Sequence, residues 1–474
     1  MGGAERALDG GRTRISPVNR LPDGLGTRPV DPSIGEDTAA LQAPAATLQA
    51  PAAASQAPAA PSQAPAAGDL ADVRERGSAR PETQSVSLRE RASRERLRAL
   101  WLELRWPLAV YGVSRLVLLA TAIVETFFRR WTVWGELSNW DGQWYLRLLT
   151  QGYPNHVTHT QTPLGFLPLY PMLAWLPAHL AITPNWRAYE VAGLFVSLVT
   201  GAVAVVLIGR LATDWWGTAA GRRAVMLFCF FPGTVVFSMV YTEGLLLVCV
   251  AGCLLAMQRR RWLVAGTLAA LSTAVGPVAV AVIPACAVSA LVELWRKGWR
   301  DPEARRALIA PLMAPLGLIA FGLFLWLHAG TPMASYETQR YGWEETSTPL
   351  ALLRDAEQLF RQAFPAAGTH PGVINANYIA GLIGAAILLG GLVLLVLRPR
   401  VPLPTLVWTL GVAVLTVTSA QTPPNARLLL CAFPAVIVYA QRLRGRWFNA
   451  VMVLNCLLFV GMSWFTFVGV DLRP

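Results

Sequence analysis

Apolar residues come in runs close to twenty residues long, instead of at the spacing of a half-buried helix or strand. Runs of this length match the hydrocarbon thickness of a bilayer and predict transmembrane helices. We place eleven spans, the first three the clearest, at 106–128, 189–208, 224–240, 244–257, 262–275, 277–294, 308–328, 373–397, 403–419, 428–440 and 448–470. The pattern therefore predicts an all-α polytopic membrane protein.

The stretch 164–182 is also long enough to cross a membrane. It contains Pro168, Pro171 and Pro177, so we interpret it as interfacial or re-entrant. With this choice most basic loop residues fall on one side of the membrane, as the positive-inside rule requires. The N-terminus is then cytoplasmic, and the two long segments 129–188 and 329–372 are external, which places any catalytic site on the outer face.

Residues 1–98 have a different composition, rich in alanine, proline and arginine, and no apolar run that could form a signal-peptide core. We interpret them as a disordered cytoplasmic tail and 99–474 as the membrane domain. The tail repeats the sequence Gln-Ala-Pro-Ala-Ala, starting at Gln42, Gln49, Gln56 and Gln63, which favours extended polyproline II. The net charge of +12 is spread over the tail and short loops, so we expect no nucleic-acid partner.

The first external segment contains an acidic residue among aromatics, Asn139-Trp140-Asp141-Gly142-Gln143-Trp144-Tyr145. Partial removal of water by these rings would make the Asp141 carboxylate a stronger base, so Asp141 is our candidate general base. The alternative is a helix cap in an interfacial aromatic belt.

Arg427 is the first candidate for binding a phosphate, because it lies on the outer side and at a helix N-terminus, where a cation needs an anionic partner. Snorkelling to lipid phosphate is the alternative. Arg147 is a weaker second candidate. Glu243 follows Thr242 at a predicted helix start, where an N-cap with a first-turn acid competes with acceptor binding. His156 and His159 lack a third ligand, so we expect no metal.

Several of these residues lie in motifs that resemble the bacterial branch of the PIG-V-like mannosyltransferases, a GT-C class of membrane glycosyltransferases. The motifs, in order, are Trp140-Asp141-Gly142-Gln143-Trp144-Tyr145, Gln151-Gly152-Tyr153-Pro154, Phe166-Leu167-Pro168-Leu169-Tyr170-Pro171, Phe231-Pro232, Tyr241-Thr242-Glu243, Arg260-Arg261-Trp262, Asn425-Ala426-Arg427-Leu428 and Phe433-Pro434. One departure is Ala274-Val275 after Thr273, where such proteins often have Arg-Pro.

The resemblance implies a GT-C-like fold with catalytic outer loops, Asp141 as base and a polyprenyl-phosphate sugar, expected to be mannose, as donor. We expect acceptor or sugar binding by Trp140, Trp144, Tyr145, Tyr241 and Glu243. The chain lacks the Asp-x-Asp pair of many enzymes that use nucleotide sugars, which agrees with a lipid-linked donor and no cofactor.

The sequence thus predicts an inverting glycosyltransferase of the plasma membrane. Its partners would be a lipid-linked donor, membrane lipid and a glycan, glycolipid or protein acceptor. A transporter or flippase of lipid-linked saccharide, and a non-catalytic membrane subunit, are the alternatives. Paired charges at mid-membrane and broken helices in two related halves, which a transporter would show, are not evident in the sequence.

Overall fold

The computed structural model describes residues 82–128, 132–180, 185–364, 375–397 and 400–468. Within these ranges the chain forms twenty α-helices, and extended pairing is limited to one bridge between Ser347 and Ser419. The predicted all-α class is therefore confirmed for the described part of the chain. The tail 1–81 lies outside it, whereas residues 82–98, which we placed in the tail, form the start of the first helix.

The first half of the chain contains ten α-helices and three 3-10 helices. The α-helices are α1 (Glu82–Phe128), α2 (Val133–Leu137), α3 (Asp141–Gln151), α4 (Leu169–Ala178), α5 (Trp186–Trp216), α6 (Thr218–Cys229), α7 (Glu243–Gln258), α8 (Trp262–Thr273), α9 (Val282–Lys297) and α10 (Pro302–Arg306). The 3-10 helices are Pro163–Gly165, Pro232–Ser238 and Pro277–Ala281.

The second half contains ten α-helices and a π-helical turn at Thr338–Gly342. The α-helices are α11 (Ile309–Met313), α12 (Leu316–Ala329), α13 (Ala334–Glu337), α14 (Ala351–Ala363), α15 (Ala376–Leu397), α16 (Leu403–Val417), α17 (Ala426–Cys431), α18 (Phe433–Ile437), α19 (Tyr439–Arg442) and α20 (Gly445–Val468).

Six helical segments in the described residues are long and apolar enough to cross a membrane. They are Trp101–Phe128, Trp186–Trp216, Pro277–Lys297, Pro302–Ala329, Ala376–Leu397 and Gly445–Phe467. Large apolar side chains on these segments are exposed, such as Phe127 at 83% and Leu327 at 80%, as expected of surfaces that face lipid. By the length and composition of its helices the chain is a multi-pass membrane protein, while the number of eleven spans stays a prediction.

The predicted span 224–240 is wrong as a continuous helix. Its first part is α6 and its second part is the 3-10 helix Pro232–Ser238, with an angle of 72° between them. Pro232 lacks the N–H that would continue α6. The next residue, Gly233, packs so closely on the start of α17 that an added Cβ would lie 2.1 Å from the Ala426 carbonyl oxygen. The bend therefore brings the 3-10 helix against the segment that carries Arg427.

A buried arginine in α1 stabilises this bend. The Arg115 side chain donates to the carbonyl oxygen of Thr234 at 2.5 Å, to that of Cys229 at 3.3 Å and to the Ser238 hydroxyl at 3.2 Å. The Cys229 carbonyl belongs to the last turn of α6, where the helix leaves its carbonyl groups without intrahelical partners. Arg115 thus supplies the hydrogen bonds that the break removes.

Two further stretches differ from straight membrane spans. The predicted span 428–440 consists of three short helices, α17 to α19, with Pro434 in the first turn of α18. The stretch 164–182 contains α4, whose ten residues extend about 15 Å, roughly half the hydrocarbon core. Its length agrees with the prediction that this segment does not cross, although 181–184 lie outside the described residues.

Candidate active site

Three charged side chains that are far apart in the sequence meet at one end of the helix bundle. Nη1 of Arg427 donates a hydrogen bond to Oδ2 of Asp141, and Nε of Arg427 lies 3.5 Å from Oε1 of Glu243. The exposed fractions of these side chains are 17% for Arg427, 30% for Asp141 and 10% for Glu243. The candidate base and the candidate phosphate ligand are therefore direct partners.

Asp141 is held by its position at the start of α3. The preceding residue, Trp140, has a φ of 57°, a strained value for an aromatic residue, and its N–H donates to the Asn139 side chain at 2.8 Å. The backbone N–H of Asp141 donates to the Tyr241 hydroxyl at 3.2 Å. The Asp141 carboxylate therefore lies at a helix N-terminus and beside Arg427, both of which interact favourably with a negative charge.

Arg427 lies in the first turn of α17, as the sequence predicts. The Asn425 side chain caps this helix by accepting from the Leu428 N–H at 2.9 Å, and the guanidinium lies 5.5 Å above the centre of the Tyr241 ring. Burial alone would lower the pKa of Arg427, but the carboxylates of Asp141 and Glu243 raise it above its usual value. The net shift keeps the guanidinium charged. The anionic partner expected for this cation is thus a pair of carboxylates.

Glu243 is the first residue of α7, so the acid in the first turn of that helix is present as expected. Thr242 stands at the N-cap position but makes no side-chain cap bond, and its hydroxyl lies 3.5 Å from that of Tyr145. Burial raises the pKa of Glu243, and Arg427 opposes this effect. Among the described residues Oε2 of Glu243 has no hydrogen-bond partner. An unpaired buried acceptor beside a cavity favours binding of a ligand donor such as a sugar hydroxyl.

Aromatic side chains form one wall beside the charged residues. Trp144 stacks on Phe166 with ring centres 6.2 Å apart and meets Trp343 edge-on at 5.2 Å, while Tyr145 meets Phe166 at 5.0 Å. Burial raises the pKa of Tyr145, as it does for Tyr241, so both hydroxyls stay protonated and able to donate. The position of Phe166 was not predicted, because its motif entered only through the family resemblance.

A cavity of about 1790 Å³ opens beside these groups. Seven of the eight predicted site residues line it, namely Trp140, Asp141, Trp144, Tyr145, Tyr241, Glu243 and Arg427. Much of its apolar lining belongs to α12, with Leu318, Gly322 and Trp326. The cavity thus combines a charged end, an aromatic wall and an apolar wall, which is the usual composition of a site for an amphipathic ligand.

The second predicted outer segment covers part of this cavity. Glu345 fastens it to the chain before α17, because its carboxylate accepts from the Ser419 hydroxyl at 2.8 Å, the Ala420 N–H at 3.2 Å and the Thr422 hydroxyl at 3.0 Å. Gln339 reaches the carbonyl oxygen of Gly165 at 3.3 Å. The segment therefore connects the two sides of the cavity mouth.

Arg147 is the predicted residue that the structure does not bring to the cavity. Its exposed guanidinium lies 4.6 Å from the centre of the Trp144 ring, and it is absent from the cavity lining. His156 and His159 are exposed, with contacts to Asn155 and Tyr341. In the described part of the chain no group of three or more His, Cys, Asp or Glu side chains is arranged to hold a metal ion.

Among the comparisons with known proteins, only the one with solved structures found similar chains. No family model matches the chain, and no curated protein matches it. The chain is similar to ArnT from Cupriavidus metallidurans bound to undecaprenyl phosphate, at 11% identity, covering 77% of this chain and 76% of that one with a TM-score of 0.44. It is also similar to the apo oligosaccharyltransferase of Archaeoglobus fulgidus, at 13% identity and a TM-score of 0.42.

The match to the apo oligosaccharyltransferase covers 77% of this chain but only 56% of the oligosaccharyltransferase chain. A third structure, the Archaeoglobus fulgidus oligosaccharyltransferase AglB with an inhibitory peptide and a dolichol-phosphate, gives a TM-score of 0.37 at 12% identity, covering 77% of this chain and 56% of that one. Scores of this size carry no argument about reaction or substrate.

Proposed function

We propose that the protein is an inverting glycosyltransferase that moves a sugar from a polyprenyl-phosphate donor to an acceptor. The observation that carries this proposal is the meeting of Asp141, Arg427 and Glu243 at the charged end of the 1790 Å³ cavity. Such a site offers a proton acceptor, a cation and an unpaired hydrogen-bond acceptor within one ligand's reach. These three groups suit glycosyl transfer from a phosphate leaving group.

The shape of the cavity suits a donor with three chemically different parts. In the proposed pose the phosphate lies at Arg427, the sugar lies against the wall formed by Trp144, Phe166 and Trp343, and the polyprenyl chain follows the apolar side of α12. Aromatic faces stack well on the apolar faces of sugar rings. The unpaired Oε2 of Glu243 would accept a hydrogen bond from a sugar hydroxyl.

The proposed reaction is a single displacement. The Asp141 carboxylate takes the proton of the acceptor hydroxyl. The oxygen of the acceptor forms a bond to C1 of the sugar while the bond from C1 to the phosphate oxygen breaks. The electron pair of the broken bond leaves with the phosphate. Arg427 stabilises the negative charge that develops there, an effect that is strong in a site shielded from water.

Arg427 connects donor binding to the availability of the candidate base. Without donor its charge is shared between Asp141 and Glu243. A phosphate bound at Arg427 competes with Asp141 for the same guanidinium nitrogens, which releases the Asp141 carboxylate from Arg427. In this proposal Asp141 is therefore free to accept a hydrogen bond from the acceptor hydroxyl only when the donor is in place.

The finer parts of the proposal come from the sequence. Mannose as the sugar, membership of the PIG-V-like mannosyltransferases, and action on the outer face of the plasma membrane rest on the family resemblance and on the distribution of basic loop residues. The acceptor would be a glycan, glycolipid or protein. The long, partly aromatic segments that form the site are the ones that this orientation places outside.

The test is sugar transfer from radiolabelled polyprenyl-phosphate mannose by the purified protein, with a membrane extract supplied as the source of acceptor. We expect Asp141→Asn to lower kcat by about 10³-fold, within the usual range for a general base. Asp214→Asn is the matched control, since Asp214 is 42% exposed and has only a 4.0 Å ion pair with Arg259. This control should transfer sugar like the unchanged protein.

Equal transfer by the Asp141→Asn variant would refute its role as base. Movement of the lipid-linked sugar between the leaflets of a vesicle, with no labelled product, would support a transporter instead. Absence of both activities in the unchanged protein would support a non-catalytic subunit. In each case the thermal unfolding temperature of the variant shows whether it is folded.

A further inference from the structure

A second, smaller cavity lies at the opposite end of the helix bundle. Its volume is about 300 Å³, and its lining is Trp216, Ala219, Ala220, Arg223, Arg400, Gln441 and Arg444. The course of α5 shows the separation of the two ends. The helix starts next to the candidate active site, where Glu190 accepts from Ser138 at 3.0 Å, and it ends 26 residues later, roughly 39 Å away, at Trp216.

Three arginines converge on this small cavity and no carboxylate lines it. Within the described ranges, none of Arg223, Arg400 and Arg444 forms an ion pair, whereas Arg210 and Arg260 at the same end pair with Glu103 and Glu293. Unpaired cations around a concave site attract an anion. The positive-inside rule explains why arginines occur at this end of the bundle, but it does not explain why three of them converge on one cavity.

The cavity is built into the bundle and is not only a charged surface. Arg223 is half-buried at its floor, where Nε donates to the Ala440 carbonyl oxygen at 2.9 Å. Its two guanidinium NH2 groups remain for a ligand. Arg400 and Arg444 are exposed at the rim, and the indole of Trp216 provides an apolar side. Arginine forks match the oxygen geometry of phosphate groups.

We propose that this cavity binds the phosphate headgroup of an anionic membrane lipid. The phosphate would lie between Arg223, Arg400 and Arg444, and the acyl chains would continue along the apolar surfaces of the neighbouring spans. A lipid is favoured over a soluble phosphate because the cavity lies at the ends of membrane-spanning helices, at headgroup depth. The site is separate from the proposed transferase site and does not depend on that function.

The test is native mass spectrometry of the full chain in detergent, titrated with phosphatidic acid, phosphatidylcholine or inorganic pyrophosphate. We expect phosphatidic acid to bind and Arg400→Gln/Arg444→Gln to weaken its affinity by about 25-fold, or about fivefold for each guanidinium removed. Arg305→Gln/Arg306→Gln is the matched control, because both arginines are exposed at the same end but do not line the cavity. It should change the affinity less than twofold.

Three outcomes would overturn the proposal. The first is equal affinity of the unchanged protein and the cavity variant for phosphatidic acid, or no binding by either. The second is equal binding of phosphatidylcholine, which would show that charge does not select the lipid. The third is pyrophosphate binding as tight as that of phosphatidic acid and lost in the same variant, which would make the ligand a soluble phosphate.

Discussion

Arg115 is buried and Arg427 is largely buried in the helix bundle, but the partners of the two arginines differ in kind. Arg115 donates to backbone carbonyl groups and hydroxyls, which are fixed parts of the fold. Arg427 binds two carboxylates that line an open cavity. A phosphate can replace a carboxylate at a guanidinium, whereas nothing mobile replaces a helix carbonyl. The comparison indicates that Arg115 stabilises the structure and that Arg427 is available to a ligand.

Among the predictions that follow from this difference, the largest effect is the loss of sugar transfer when Arg427 is substituted. Arg427→Gln should lower kcat/KM for the lipid-linked donor by about 10²–10³-fold, the usual cost of removing one group that stabilises developing charge. Arg427→Lys keeps the charge but not the forked donors, so it should recover part of this loss. Initial rates against donor concentration measure both. An unchanged kcat/KM in the glutamine variant would show that the guanidinium binds no donor phosphate.

Substitution of Arg115, in contrast, is expected to lower the stability of the protein and not its affinity for the donor. Arg115→Met keeps much of the side-chain volume but leaves the Thr234 and Cys229 carbonyl oxygens without this donor, which should destabilise the protein by about 2 kcal/mol. Thermal unfolding in detergent measures the loss. The donor KM of the remaining folded protein should stay unchanged, because Arg115 does not line the active-site cavity.

Arg210→Met is the control for this experiment. Arg210 also lies in a spanning helix, but it is 39% exposed and pairs with Glu103 at 3.2 Å. An exposed pair contributes at most about 1 kcal/mol, so this variant should unfold close to the unchanged protein. A donor KM that rises in Arg115→Met but not in Arg210→Met would contradict the division into structural and ligand-binding arginines.

The sequence predicted the class of fold well because long apolar runs are a direct consequence of bilayer thickness. It predicted the breaks within the membrane helices less well. The span 224–240 was predicted as one helix in spite of Pro232, and the close approach of Gly233 to Ala426 depends on packing between segments almost 200 residues apart. Arg115 was not noticed, although a lone arginine inside an apolar run is a visible departure from a lipid-facing helix.

The candidate site was predicted as separate residues and not as an arrangement. Asp141 and Arg427 were selected with different roles, and an anionic partner was expected for Arg427 from its place at a helix start. That this partner is the candidate base itself follows from contacts across 286 residues, which local patterns do not contain. Arg147, six residues after Asp141, was the weaker candidate for phosphate binding, and its exposed guanidinium lies against the Trp144 ring and outside the cavity lining.

The smallest expected effect concerns the charge of Glu243. With both carboxylates ionised the three charged residues sum to one negative charge, which disfavours a phosphate, whereas protonated Glu243 makes the sum zero. Burial raises the pKa of Glu243, so its protonated form persists to higher pH than usual and is lost as pH rises through that value. Donor KM should therefore increase with pH, by about fivefold if the effect is near 1 kcal/mol.

Glu243→Gln tests this prediction because glutamine keeps the shape of the side chain and has no titration. In this variant donor KM should stay low and should not change across the same pH range. The value of kcat should fall only modestly, because Asp141 remains. Glu344→Gln is the matched control, as Glu344 also lines the cavity but is exposed. A pH dependence of donor KM that survives in Glu243→Gln would mean that a group other than Glu243 titrates.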